Sequence, residues 1–323
     1  MAEVEVRSSS PPASEDLSAP LYVAWQITNE CNLACLHCIE ESGPGKAFKD
    51  ELTTQEAFAV IDELVKGEVP YVSFSGGEPM VRPDFFAMVE RITKGGVALK
   101  IETNGHYLTP HHCARLKDFG VKAVQVSLDG GTPASFNKMR VHGRFDAAIE
   151  GISNLKKAGV PIEVNFVPAR FNIHEIGDVV DLAYRLGAYS VYTGKIMYTG
   201  NAVRTWSMTA PDEKDYPKFF ETLRGKAKEY QGRMRVYFHE LGLLDELRHR
   251  LVNPAALFII LPNGQVKLIN ALPFTCGDLR SQSLGRVWAN FQNAWKNPQV
   301  ARFIEQLAVD PNIVSRLHQW VAL

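Results

Sequence analysis

Cys31-Asn32-Leu33-Ala34-Cys35-Leu36-His37-Cys38 follows directly on a β-rich run, Tyr22–Thr28. Three thiolates on one short loop can ligate three irons of a four-iron cluster. The fourth iron then has no protein ligand and stays open to a small chelating molecule, as a catalytic metal centre requires. Structural zinc is the alternative reading, and it wants a fourth Cys or His at structural spacing. His37, between two ligands, is badly placed for that. Five cysteines in all, an odd number with three inside eight residues, make a poor disulfide framework, so a reducing cytoplasm is the expected location.

Outward from this loop, residues 21–197 repeat one pattern, a short β-rich run followed by an amphipathic helical stretch. The spacing predicts strands at Tyr22–Thr28, Tyr71–Ser75, Ala98–Glu102, Ala123–Leu128, Ile162–Val167 and Ser190–Ile196. Helices are expected near 54–66, 83–94, 110–119, 145–158 and 174–186, as in the apolar spacing of Ala57, Val60, Ile61 and Leu64. Six strands alternating with helices mean parallel strands with right-handed crossovers. Both an open doubly wound sheet and a partial barrel fit that pattern. Beyond it lie a helical stretch at Pro211–Tyr230, a strand at Met234–Phe238 and the run Leu257–Leu268, LFIILPNGQVKL, in which Asn263-Gly264 is a hairpin turn signal. Two more helices are expected near 285–296 and 298–308. The expected division is a polar, Ser- and Pro-rich disordered tail over 1–20, a core over 21–210 and a small α+β extension over 211–323.

Composition narrows the partners. Hydrophobic residues make up 46% and charged residues 22% of 323, with 35 basic against 36 acidic side chains and a net charge of −1. These values suit a well-cored globular protein and lack the basic density of a nucleic-acid footprint. No apolar run approaches the roughly 18 residues of a membrane span, so no membrane partner is expected.

The C-x3-C-x2-C spacing, with His37 before the last cysteine, resembles the signature of the radical S-adenosyl-L-methionine (SAM) superfamily. That resemblance implies an α/β fold, a partial (β/α)6 TIM-like barrel, with a 4Fe-4S cluster on Cys31, Cys35 and Cys38 and SAM chelated at the open iron. It also implies reductive cleavage of SAM to a 5′-deoxyadenosyl radical, with a reducing partner such as flavodoxin or ferredoxin. Ser75-Gly76-Gly77-Glu78-Pro79 looks like the family's GGEP motif, in which Glu78 would accept a hydrogen bond from the SAM ammonium. Thr103-Asn104-Gly105 resembles its TNG segment and Ser127-Leu128-Asp129-Gly130 its S-x-D-G segment. By the same resemblance Ser127 and Arg140 would contact the ribose or carboxylate, while for Asn104 and Asp129 turn formation is an equal alternative. Ile196 and Met197, in Gly194–Ala202, match the segment that packs on the adenine; Asn201 stands where that segment often has arginine. Lys195, Tyr198 and Arg204 are candidates for the substrate side, against solvated loop residues.

The stretch 260–288 looks like a degenerate SPASM or twitch extension: Leu268-Ile269 stands where a cysteine is usual, and none follows Cys276. A second cluster generally takes four protein ligands, and only Cys113 and Cys276 remain, so none is expected. Without a built-in electron acceptor, a redox-neutral outcome such as decarboxylation is favoured. The expected substrate is a small polar metabolite, a sugar or nucleoside intermediate of antibiotic biosynthesis, as in the cytosylglucuronic acid decarboxylase type. The alternatives are a peptide-modifying maturase or a tetrapyrrole-precursor enzyme, and, outside catalysis, an iron–sulfur carrier or inactive scaffold.

Overall fold

The computed structural model describes residues 16–317 and 319–323. Strands β1 Tyr22–Thr28, β2 Tyr71–Gly76, β3 Ala98–Thr103, β4 Ala123–Ser127, β5 Ile162–Phe166 and β6 Ser190–Gly194 pair side by side in that order, all parallel. The crossovers carry helices α1 Thr54–Lys66, α2 Phe85–Lys94, α3 Pro110–Asp118, α4 Pro133–Met139, α5 Phe145–Ala158 and α6 Ile176–Arg185. Local chemistry sets these bounds. Thr53 and Glu56 close a capping box on α1, and Gly159, at φ 69°, ends α5 in the left-handed region.

Alternation along each strand separates two faces. Val23, Trp25, Val72, Phe74, Leu99, Ile101, Val124 and Val126 are buried in the main apolar core. Their neighbours Gln26, Ser75, Lys100, Glu102, Gln125 and Asn165 take the other face, and it is strongly concave. The Lys100 ammonium on β3 lies 5.6 Å from the Tyr192 ring on β6, although β4 and β5 run between. A flat sheet, at about 4.8 Å per strand, would hold those strands about 14 Å apart. β1 and β6 are not paired, so the structure is a partial (β/α)6 barrel, as expected.

The remaining elements are α7 Asn201–Thr209, α8 Tyr216–Glu229, β7 Arg235–His239, α9 Leu243–Val252, β8 Leu257–Ile260, β9 Gln265–Lys267, β10 Phe274–Asp278, α10 Leu284–Ala294, α11 Pro298–Val309 and β11 Val321–Ala322. From residue 211 on, their strands join the barrel sheet at both of its edges. β7 adds in parallel to β6, and β8 adds in parallel to β1 at the opposite edge. β9 and β10 then continue that edge antiparallel and β11 adds in parallel to β10, giving one sheet of eleven strands. The hairpin turn also differs from expectation. Only Gly264 has positive φ (88°), and its N–H donates to the Leu261 carbonyl at 2.9 Å, with Pro262-Asn263 at the centre of the turn.

The expected tail over 1–20 also needs correction at its end. The Leu17 carbonyl accepts the Trp288 indole N–H at 2.7 Å, which ties Leu17 to α10; residues 1–15 lie outside the described residues. Phe258 on β8 is fully buried, with ring centroids 6.2 Å from Trp288 and 5.9 Å from Phe291. Phe258→Ala is expected to cost about 3–5 kcal/mol. Urea unfolding should then show one shifted transition, because β8 is shared with the barrel edge; a separate early transition would contradict that integration.

Candidate active site

The cysteine loop leaves β1 and is held from three sides. Backbone N–H of Cys31 donates to Gly43, Leu36 N–H donates to Met139, and Cys35 pairs with Arg140 in a two-residue antiparallel ladder. From the third side, Gly200 sits at φ 55°, and a Cβ there would lie 2.4 Å from the Cys38 carbonyl. This contact starts α7: Asn201 N–H donates to the Cys38 carbonyl at 2.9 Å and its side-chain amide to the Cys35 carbonyl at 3.0 Å. Asn201, at the position where the resembling segment often has arginine, thus clamps the loop.

All three thiols line a cavity of about 310 Å³ with Ser75, Gly76, Gly77, Thr103, Asn104, Ser127 and Arg140. Burial pushes Cys31 and Cys35 up to about 12, and raises Cys38 as well. The free thiols therefore hold their protons, and binding iron must displace them. Among the described residues no group of three or more His, Cys, Asp and Glu is arranged to hold a single metal ion. Three thiols lining one cavity suit the ligation of three irons of a cubane, one thiol to each.

Gly76 and Gly77 are required for a reason other than ligand approach. A Cβ would meet the Thr28 carbonyl at 2.3 Å from Gly76, and the Glu30 carbonyl at 2.0 Å from Gly77. The pair lets β2 pass against the end of β1, where Gly77 N–H donates to Thr28 and Glu78 N–H to Glu30. Glu78 itself lies behind the cavity wall, fully buried. Its carboxylate accepts from the Thr103 hydroxyl at 2.8 and 2.9 Å, the Asn104 N–H at 2.9 Å and the Met80 N–H at 3.3 Å. Burial nevertheless pushes its pKa up to about 7, and these hydrogen bonds work against that rise. Buried Pro79 opens the single turn that follows.

A second cavity, of about 570 Å³, adjoins the first, and His37, Ile39, Asn165 and Val167 line both. Ile196, Met197 and Lys195 line the second, with Tyr237 and His239 of β7. Lys195 pairs with Glu213 at 3.1 Å. Tyr198 and Arg204 line neither cavity: the Tyr198 hydroxyl donates to Asn312 at 3.3 Å, and Arg204 pairs with Glu41 at 2.9 Å. The His37 side chain is only 10% exposed, and desolvation lowers its pKa to about 4, leaving a neutral ring whose Nδ1 has no partner among the described residues. Arg140 Nε is likewise without one. These two unpartnered atoms beside the thiols suit a polar ligand lying across both cavities. Sequence reasoning passed over Gln26, Asn165 and Asn270 in these walls. Gln26 and Asn165 could have been found, as amides inside otherwise apolar strands; Asn270 depends on the β1–β8 pairing.

The Radical SAM superfamily family model matches residues 25–183. The chain is 33% identical over 296 residues to the mycofactocin maturase MftC of Mycobacterium tuberculosis, covering 90% of this chain and 74% of that protein. It is 29% identical over 286 residues to an AdoMet-dependent heme synthase of Nitratidesulfovibrio vulgaris, covering 82% of this chain and 78% of the other. The fold matches SuiB of Streptococcus suis bound to S-adenosylmethionine with a TM-score of 0.70 at 15% identity, over 84% of this chain. The chain spans 66% of SuiB, which is also known bound to its precursor peptide SuiA. A thiol loop with room for a cubane, a cavity crossing the concave face of a partial barrel and these relatives agree: the chain belongs to the radical SAM superfamily, whose cofactors are a 4Fe-4S cluster and SAM.

Proposed function

We propose that the chain is a peptide-modifying enzyme of the maturase kind, holding its cluster on Cys31, Cys35 and Cys38. When bound, the cluster and SAM supply a 5′-deoxyadenosyl radical that takes hydrogen from the substrate. The observation that carries the peptide reading is the similarity to MftC across 90% of the chain, and SuiB, of the same fold, takes a precursor peptide. In this reading Arg140 and Ser127 bind the carboxylate or ribose of SAM, and backbone at Ser75–Gly77 with Thr103 and Asn104 borders its methionine end. Ile196, Met197 and His37 cover the adenine. Lys195 faces substrate from the outer cavity, whereas Tyr198 and Arg204 brace the surrounding loops. Glu78 positions Thr103 and Asn104 from behind. Both cavities are half open, and seated substrate closes them so that a primary carbon radical is kept from water. An external low-potential donor of the flavodoxin or ferredoxin type supplies the electron.

A tetrapyrrole substrate is the second reading, favoured by the similarity to the heme synthase. The relatives described above match these two alternatives rather than the sugar or nucleoside decarboxylase expected from the sequence. One anaerobic experiment separates them. Reconstituted protein with SAM and dithionite is offered short peptides encoded beside its gene, or an iron coproporphyrin. The maturase reading expects peptide-stimulated 5′-deoxyadenosine and a mass change in the peptide. Stimulation by the porphyrin alone would replace it with the second reading, and no 5′-deoxyadenosine at all would indicate a carrier or scaffold.

A further inference from the structure

Asp129, just after β4, is fully buried. Its Oδ1 accepts the Val167 N–H at 2.8 Å, and its backbone carbonyl accepts from the Asn172 amide at 3.0 Å. Those bonds fix the carboxylate against the end of β5. Its Oδ2 lies 2.7 Å from Arg140 Nη2 and 3.2 Å from His37 Nε2. The opposite arm of the same guanidinium, Nη1, lies 3.7 Å from Cys35 Sγ. Arg140 is also tied to Cys35 through the backbone ladder. One buried cation thus stands between a cluster sulfur and a buried anion.

We infer that Asp129 and Arg140 form a matched charge pair that sets the reduction potential of the cluster. Reduction adds one electron to the cluster from an external donor, with no bond made or broken and no proton moved. A cation beside a ligand sulfur favours the more negative, reduced form, because charge and hydrogen bonds near the sulfurs set these potentials. Asp129, on the far side of the guanidinium, offsets that pull. In a low-dielectric site neither effect is screened away. Asp129 is a positioning residue in this account, since it acts through Arg140. The inference rests on the three-cysteine cluster and is independent of the substrate.

The test is a redox titration of the anaerobically reconstituted full chain, monitored by electron paramagnetic resonance without SAM, so that any SAM contact of Arg140 is silent. Asp129→Asn is expected to move the one-electron equilibrium about tenfold toward the reduced cluster, about 59 mV positive. Arg140→Gln is expected to move it about as far in the negative direction. The charge-balanced double variant should return to within about threefold of the native value. A purely steric role for Asp129 gives no such opposition of sign. Shifts of the same sign, no shift in either single variant at native iron content, or a double variant displaced further than both overturns the pair. If one single variant does not hold iron, the other single variant together with the double decides. A native chain that holds no four-iron cluster would instead fail the cluster assignment itself.

Discussion

Replacing Cys35 by alanine is expected to abolish 5′-deoxyadenosine formation and strip iron from the anaerobically reconstituted chain, whereas Cys113→Ala leaves both unchanged. Loss of an outer partner of a metal site costs roughly 10–100-fold, so loss of a ligand should exceed about 100-fold. Cys35 is the ligand with the most support around it: backbone pairing with Arg140, a guanidinium 3.7 Å from its sulfur, and a carbonyl held by Asn201. Little of that scaffold depends on the thiol, so the variant should fold and simply lack its metal. Cys113 is the more buried of the two, but it sits on α3 in the apolar core. Its removal deletes about one methylene's worth of packing, about 1 kcal/mol. Iron content and product are measured together. Equal loss in both variants would show that the ligand assignment is wrong, and so would full iron retention in Cys35→Ala.

The barrel half was legible because each signal is local. Ala57, Val60, Ile61 and Leu64 on α1 follow helical spacing, and Thr53 and Glu56 cap it, so 54–66 is read to the residue. The five strands from β1 to β5 fall within one residue of expectation for the same reason. The sixth ends early, at Gly194 instead of Ile196. A Cβ on Gly194 would lie 2.4 Å from the His239 ring, which belongs to a strand over forty residues on, so the departure is tertiary. Helix α7 was invisible for a similar reason: its first turn is set by Gly200 and Asn201 docking on the Cys38 carbonyl. The polar concave face was legible and overlooked, since Gln26, Gln125 and Asn165 alternate with core residues along their strands. The motif residues illustrate a different limit. Sequence spacing brought Glu78, Thr103 and Asn104 to one place, but only the structure distinguishes the side chain behind the wall from those on it.

That distinction has a consequence in pH. Glu78 keeps its proton up to about pH 7 in the fold, against an ordinary value of 4.5, with burial as the main cause. Between those values the folded chain binds more protons at this site than the unfolded chain does. Stability from this group is therefore full below about pH 4.5 and is lost as pH rises through 7. The span is worth up to about 3 kcal/mol, at about 1.4 kcal/mol for each unit. Glu78→Gln has no such proton, so urea unfolding of the cluster-free native and variant chains should give a difference that narrows from pH 5 to about pH 7 and levels off by pH 8. Other carboxylates titrate in both chains and cancel in that difference. The variant should also be the weaker of the two at pH 5, because an amide cannot accept from Thr103, Asn104 and Met80 without turning an N–H toward one of them. A difference that stays flat across the range would mean that Glu78 ionises in the fold as it does in water. The three donors from β3 and the turn after β2 would then be enough to hold its charge in a site closed to solvent.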